Sequence, residues 1–223
     1  VSASLAFVVF LPILEKVTGV TTDLTLLELA DLNRPLLRRL ALEAPGTYAH
    51  SVNVANLAEA AAHAVGADAL LTRVGVYYHD IGKLRRPEYF VENQRGGPNP
   101  HERLRPEVSA AVVREHVLEG LRLAREAGLP DSVRAFIAEH HGTARIGFFY
   151  EKACEQDPRA VRDDAPFRYP GPKPRSKETA IVMLADAVES AARALQDPTP
   201  DRIRELVDRV VARKIEEGQL DEA

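Results

Sequence analysis

Residues 47–65 read TYAHSVNVANLAEAAAHAV, and this stretch decides the fold. Alanine and leucine favour helix. His50, Val54, Leu57, Ala58, Ala61 and Val65 recur at the spacing of one helical face. A helix is therefore predicted from Thr47, which can cap it, to about Val65. His50 then points inward at its start. His63 comes 13 residues later, roughly 220° round at ~100° per residue. It is expected to face solvent, a residue of the same type on the wrong face.

The same periodicity continues outward in both directions. Leu24 to Ala30 and Arg34 to Leu42 read as short helices, parted at Asn33-Arg34-Pro35 because the residue before proline disfavours α geometry. Pro45-Gly46 is a break. Downstream, Gly66-Ala67-Asp68 opens a helix that ends near Gly82. Arg95 to Pro100 (RGGPNP) is a loop. Pro106 suits the first turn of a helix running to about Ala127. Asp131 is a candidate cap for a helix that reaches His141 and stops at Gly142. Arg162 to Arg175, with four prolines, is a loop. Ser176 caps a helix from Lys177 to about Leu195. After the break at 197–200, Asp201 to about Glu217 is expected to bury Ile203, Leu206, Val207, Val210 and Ile215. No alternating strand run and no internal repeat is present. One all-α domain results, with no linker inside Thr21 to Gln219.

Composition bounds what such a domain can do. Hydrophobic residues make up 45% and charged residues 28%, as in soluble globular proteins. A net charge of −4 excludes a broad basic surface for duplex nucleic acid. A small anionic ligand would need a local positive site. The single Cys154 excludes an intramolecular disulfide and a multi-cysteine zinc site, and reads as an inert helix residue. Val1 to Leu14 (VSASLAFVVFLPIL) carries no charge before Glu15. It is short of the ~20 residues that span a bilayer and lacks the basic start of a signal peptide. Two readings stand: a helix docked on the domain, or the cytoplasmic end of a transmembrane helix.

Seven ligand-type residues lie on these elements: His50, His79, Asp80, His116, His140, His141 and Asp186. Their number exceeds the needs of one tetrahedral ion and suits two metals sharing a carboxylate. His79-Asp80 ends one helix, where the chain can turn at Ile81-Gly82. Asp80 has two oxygens and can bridge two ions. His116 sits with Val112, Val113 and Gly120. His140 follows Val133, Phe136 and Ile137 at helical spacing. Asp186 interrupts the apolar run Ala180 to Val188, where an unpartnered carboxylate is very costly. Each residue alone has a plainer reading: a hydrogen-bonded core histidine, an Asp186–Arg193 pair, or a histidine complementing a helix dipole. Together on inward faces they are less easily explained that way. His101 is ambiguous.

The stretches EAPGTYAHS, YYHDIGKLRRP, NPHERL, AEHHGT, FRYPGPKP, KETAIVMLADAVE and EEGQLDE carry a resemblance. In this order they resemble the HD-domain metal-dependent phosphohydrolase superfamily, and within it the cytoplasmic HD domain of the PgpH-type, seven-transmembrane-HD cyclic-di-AMP phosphodiesterases. The resemblance implies an HD-type helical bundle over residues 21–223, with residues 1–20 as the end of the last transmembrane helix or a membrane-proximal linker. It implies one metal held by His50, His79, Asp80 and Asp186, and a second held by Asp80, His116, His140 and His141. Nitrogen and oxygen donors without thiolate suit iron or manganese.

The function implied is hydrolysis of cyclic di-AMP to linear 5′-pApA in bacterial second-messenger signalling. A hydroxide bridging the two metals would attack phosphorus, with Asp80 and Lys83 as the catalytic residues. Lys83, Arg86, Tyr78, His101 and Tyr150 are the candidate substrate contacts. Arg85, Phe148, Phe149, Tyr169 and the loop from Asn93 are further candidates. Expected partners are the cyclic dinucleotide, the membrane through an N-terminal region, and a second copy of the chain; the expected place is the cytoplasmic face of the cell membrane. The rival readings are an HD phosphohydrolase acting on cyclic di-GMP or another nucleotide, a nucleotide-binding signalling module, and a di-iron oxygenase.

Overall fold

A computed structural model describes residues 10, 15, 17–94, 96–157 and 163–223. Its helices are α1 (Asp23–Leu29), α2 (Pro35–Glu43), α3 (Pro45–Val65), α4 (Ala69–His79), α5 (Pro106–Glu126), α6 (Asp131–Glu139), α7 (Gly147–Gln156), α8 (Lys177–Ala192) and α9 (Pro200–Glu216). 3₁₀ turns at Ile81–Arg85, Pro87–Tyr89, Val91–Asn93 and Pro100–Arg103 lie between α4 and α5. Among the described residues no strand forms; an isolated antiparallel bridge joins Arg145 and Arg168. The all-α expectation holds. The reading of Val1 to Leu14 falls, Phe10 apart, outside the described residues. No helix among them is long and apolar enough to cross a membrane.

Local chemistry sets most boundaries. Asp68, Ser176 and Thr199 cap α4, α8 and α9 by accepting from backbone amides of the first turn. Proline occupies the first turn of α2, α3, α5 and α9, where its missing N–H costs nothing. This corrects the expected cap at Thr47. Pro45 starts α3 two residues earlier, and Thr47 lies buried inside the first turn. Pro130, not Asp131, is the cap residue of α6.

The core joins α1 to α6 and α8 through Leu26, Leu37, Leu40, Val54, Val74, Phe136, Ile137 and Val182. On α3 the buried positions are Thr47, His50, Ser51, Val54, Ala55, Ala58 and Ala62. Leu57 and Val65, expected on this face, are exposed. Small side chains take the inner positions, so the buried stripe runs through alanines instead of the larger residues. His63 is exposed, as expected. On α9 only Leu206 is fully buried, and Ile203 and Ile215 face outward. That helix packs mainly on α8, so one edge of its apolar side suffices. The sequence reading leaves α7 unassigned; with Phe167 it forms a satellite cluster of Ala110, Phe149, Ala153 and Phe167 on α5.

Candidate metal centre

Two helix ends, at His79-Asp80 and His140-His141, and three helix faces, carrying His50, His116 and Asp186, bring the ligand-type residues together. Helix α4 stops at His79, and Asp80 leaves α geometry at φ −110°, ψ 13° before the 3₁₀ turn Ile81–Arg85. This resolves how neighbours on one helix can both face the site: Asp80 belongs to the turn. The turn sits hard against α5. A Cβ on Gly82 would run into the His116 carbonyl and the Gly120 amide, so only glycine permits the approach that carries Asp80 to His116. Helix α6 likewise ends at Glu139, before the expected stop at Gly142, leaving His140 as its cap residue and His141 in the following turn.

The imidazoles are aimed by their outer nitrogens. Nδ1 of His79 faces the Val76 carbonyl at 2.7 Å, and Nδ1 of His116 the Val113 carbonyl at 2.6 Å. Nδ1 of His140 lies 3.0 and 3.1 Å from the Phe136 and Ile137 carbonyls. Nδ1 of His50 lies 2.6 Å from Oε2 of Glu189. A carbonyl or carboxylate only accepts, so each of these Nδ1 atoms carries a proton and each Nε2 is left facing inward.

Those inner atoms converge on Asp80. Its Oδ2 lies 3.2 Å from Nε2 of His79 and 3.7 Å from Nε2 of His50. Its Oδ1 lies 3.4 Å from Nε2 of His116 and 3.7 Å from Nε2 of His140. One oxygen thus faces each half of the cluster. Asp186 joins the first half, with Oδ1 2.9 Å from Nε2 of His50 and 4.0 Å from Nε2 of His79. His141 joins the second. Its ring stacks on Tyr169 at 4.0 Å and 26°, and its Nδ1 lies 3.9 Å from Asp186 Oδ2.

The arrangement fits cations. Nε2 of His50, Nε2 of His79 and Oδ1 of Asp80 are buried with no hydrogen-bond partner, which is costly unless something positive satisfies them. Nε2 of His116 and of His140 stand 3.3 Å apart, and two lone pairs so placed repel unless a cation or proton lies between. Donor atoms group as His50–His79–Asp186, His79–Asp80–His140 and His116–His140–His141, each within 4.8 Å. Electrostatics agree with neutral imidazoles at His116, His140 and His141 and with ionised carboxylates at Asp80 and Asp186. Burial pushes His116 and His141 down, and His140 to about 3. His79 is the exception: burial lowers it, but Asp80 and Asp186 outweigh burial and raise it. Burial also opposes ionisation of Asp80, yet His79 and Lys83 hold it well below the usual carboxylate range.

Around this core the other candidates separate. Lys83 lies against the cluster, its Nζ 2.7 Å from Asp80 Oδ2. Tyr169 walls the site through His141. Arg86 is half-exposed at the rim, 4.0 Å from Glu115, and Arg85 lies 3.1 Å from Glu115. Tyr78 corrects an expectation. Adjacent helix positions point about 100° apart, so it turns into the core while His79 enters the site. Its hydroxyl donates to the Leu29 carbonyl at 2.9 Å, and burial pushes it up to about 12. His101 and Tyr150 belong to the satellite side. Nε2 of His101 bonds the Tyr89 carbonyl at 2.9 Å and its ring meets Phe149. Tyr150 packs on Phe167 beneath the Arg145 guanidinium.

Sequence reasoning missed Glu189 and Glu92. Glu189 stands three residues after Asp186 on α8, the spacing of one helical face, and that signal was available. It also takes the Arg193 partner that Asp186 was given as an alternative, at 3.3 Å.

An all-helical domain with paired His/Asp half-sites sharing one carboxylate defines a class, and comparison with known proteins agrees. The chain belongs to the HD domain family, which matches residues 47–191. It is 45% identical over 221 residues to the cyclic-di-AMP phosphodiesterase PgpH of Bacillus subtilis (strain 168), covering 99% of this chain and 31% of that protein. It is 45% identical over 212 residues to the PgpH of Listeria monocytogenes serotype 1/2a (strain 10403S), covering 95% and 29%. The chain thus spans about a third of the length of these relatives. The crystal structure of the L. monocytogenes PgpH HD domain in complex with cyclic di-AMP superposes with a TM-score of 0.82 at 46% identity, covering 85% of this chain and 88% of that one. HD membership implies divalent-metal binding, and the His/Asp clusters supply the donors.

Proposed function

We propose that this domain is a metal-dependent phosphodiesterase that opens cyclic di-AMP to linear 5′-pApA. The observation that carries the reading is Asp80, with one oxygen toward His50 and His79 and the other toward His116 and His140. Similarity to an HD domain solved with cyclic di-AMP supports the substrate.

His50, His79, Asp80 and Asp186 would hold one divalent ion, and Asp80, His116, His140 and His141 a second. Five imidazoles and two carboxylates, with no thiolate, favour iron or manganese. Bound there, the ions would supply Lewis acidity toward a phosphoryl oxygen and a water acidified for attack. The chain's own part is orientation and charge. Backbone carbonyls and Glu189 fix the imidazole tautomers. Lys83 offers an ammonium to the developing charge on phosphorus. Tyr169, stacked on His141, bounds the space beside it. Water adds to phosphorus and the bond to the 3′ oxygen breaks, leaving a 5′-phosphate and a 3′-hydroxyl. The proposed setting is the cytoplasmic face of a membrane; the charge-free run from Val1 to Leu14 supports nearness to the membrane.

The test is product analysis with manganese or ferrous iron, with cyclic di-AMP and cyclic di-GMP side by side. Linear 5′-pApA as the main product is expected. Metal-loaded protein that cleaves neither substrate would overturn the reading, and preference for cyclic di-GMP would move the substrate.

A further inference from the structure

We propose that Glu92 is a positioning residue that divides the Lys83 ammonium between two carboxylates, keeping Asp80 Oδ2 available to a metal. The inference rests on the metal-centre reading above. Nζ of Lys83 lies 2.7 Å from Asp80 Oδ2 and 2.7 Å from Glu92 Oε1, above the Phe90 ring at 4.9 Å. Asp80 Oδ2 is the oxygen that also faces His79 and His50. An ammonium and a metal therefore compete for one atom.

Glu92 is itself held in place. Oγ1 of Thr47 donates to Glu92 Oε1 at 3.1 Å. The neighbouring Asn93 accepts from the amides of Gly46 and Thr47 at 2.9 and 3.1 Å, and donates to Thr47 Oγ1 at 2.8 Å. A Cβ on Gly46 would run into the Glu92 carbonyl, so glycine is needed for this close approach. The turn Val91–Asn93 is thus strapped onto the first turn of α3, one turn ahead of His50.

Charge explains the purpose. Asp80 and Asp186 offer two negative charges to the centre, and Lys83 alone would cancel one of them. Glu92 compensates Lys83, so both aspartate charges serve the ions. In a buried site such a change is weakly screened. Without the Glu92 charge, Lys83 pairs with Asp80 alone and opposes metal entry both by charge and by occupying the oxygen.

The test is manganese titration of the metal-free protein, followed by the paramagnetic resonance signal of free ion, in a double-mutant cycle. Glu92→Gln is expected to weaken manganese binding by about 10- to 100-fold, the usual effect of losing an outer partner of a ligand. In a Lys83→Met background the same change should alter affinity by no more than about twofold. Wild-type affinity in Glu92→Gln, or an equal loss in both backgrounds, overturns the proposal. If Glu92→Gln loses its helical circular dichroism, Glu92→Met takes its place, close to Glu in size and without the charge. It should also bind manganese more weakly, and unchanged affinity again overturns the proposal. A wild-type chain that binds no manganese would instead sink the metal-centre reading, a separate result.

Discussion

Two buried histidines, His116 and His101, are 2% and 6% exposed, yet they do opposite things. His116 gives Nδ1 to the carbonyl of Val113, three residues back on its own helix, and turns Nε2 toward Asp80. His101 gives Nε2 to the Tyr89 carbonyl across a loop. Its Nδ1 is left buried and unpartnered, and its ring lies between Tyr89 and Phe149. Burial therefore does not separate a candidate ligand from a staple. What separates them is the nitrogen spent on the scaffold, and whether the other meets like atoms around a carboxylate. The centre is a convergence of lone pairs; the satellite cluster is a ring holding a loop on α7.

The strongest break to this contrast is Asp80→Ala. It removes both oxygens on which the half-sites converge. Manganese binding and cyclic di-AMP hydrolysis should both be lost while helical circular dichroism persists. Retained turnover would show that the two halves do not share Asp80. Next is Glu189→Gln, which weakens the acceptor for Nδ1 of His50 without touching Nε2. About a tenfold loss of metal affinity is expected, the lower end for an outer partner, read by the same titration. A third test acts on the backbone. Gly82→Ala pushes a methyl against the His116 carbonyl and the Gly120 amide, so about 1–3 kcal/mol of stability should be lost to overpacking. Thermal melts would measure it, and an unchanged melt would show that the turn can shift away from α5.

Much of the centre was legible because helical phase is a local signal. His50 precedes Val54 by one helical turn, His140 and Asp186 follow apolar residues at three- and four-residue steps, and all three are buried. The same signal failed for Leu57 and Val65, because the buried stripe of α3 passes through Ala55, Ala58 and Ala62, and size alone did not mark it. Tyr78 is a candidate substrate contact in sequence because it adjoins the His-Asp pair, but it stays on the helix and turns into the core, whereas Asp80 leaves the helix. Helix α7 is short and buries only Phe149 and Ala153, too few positions for a period to show. Glu92 had no local signal at all: its partner Thr47 lies 45 residues away in sequence, joined through a 3₁₀ turn whose place is set by tertiary packing.

The smallest expected effect belongs to His101, and it comes through pH. Burial lowers its pKa from the ordinary 6.5. The unfolded chain then takes up a proton near pH 6.5 before the folded one does, so this group's stabilising contribution is complete above that pH. It is lost progressively as pH falls toward the folded-state value. His101→Phe keeps an aromatic ring between Tyr89 and Phe149 but removes the titration and the bond to Tyr89. Its melting temperature at pH 8 should fall slightly, by the worth of one hydrogen bond, about 0.5–1.5 kcal/mol. Between pH 7 and 5 the variant should lose less stability than the wild type, so the two melting curves approach each other on acidification. Manganese affinity should not change, because the ring serves the satellite cluster. A His101→Phe variant that bound manganese more weakly would place this histidine with His116 and erase the distinction between the two.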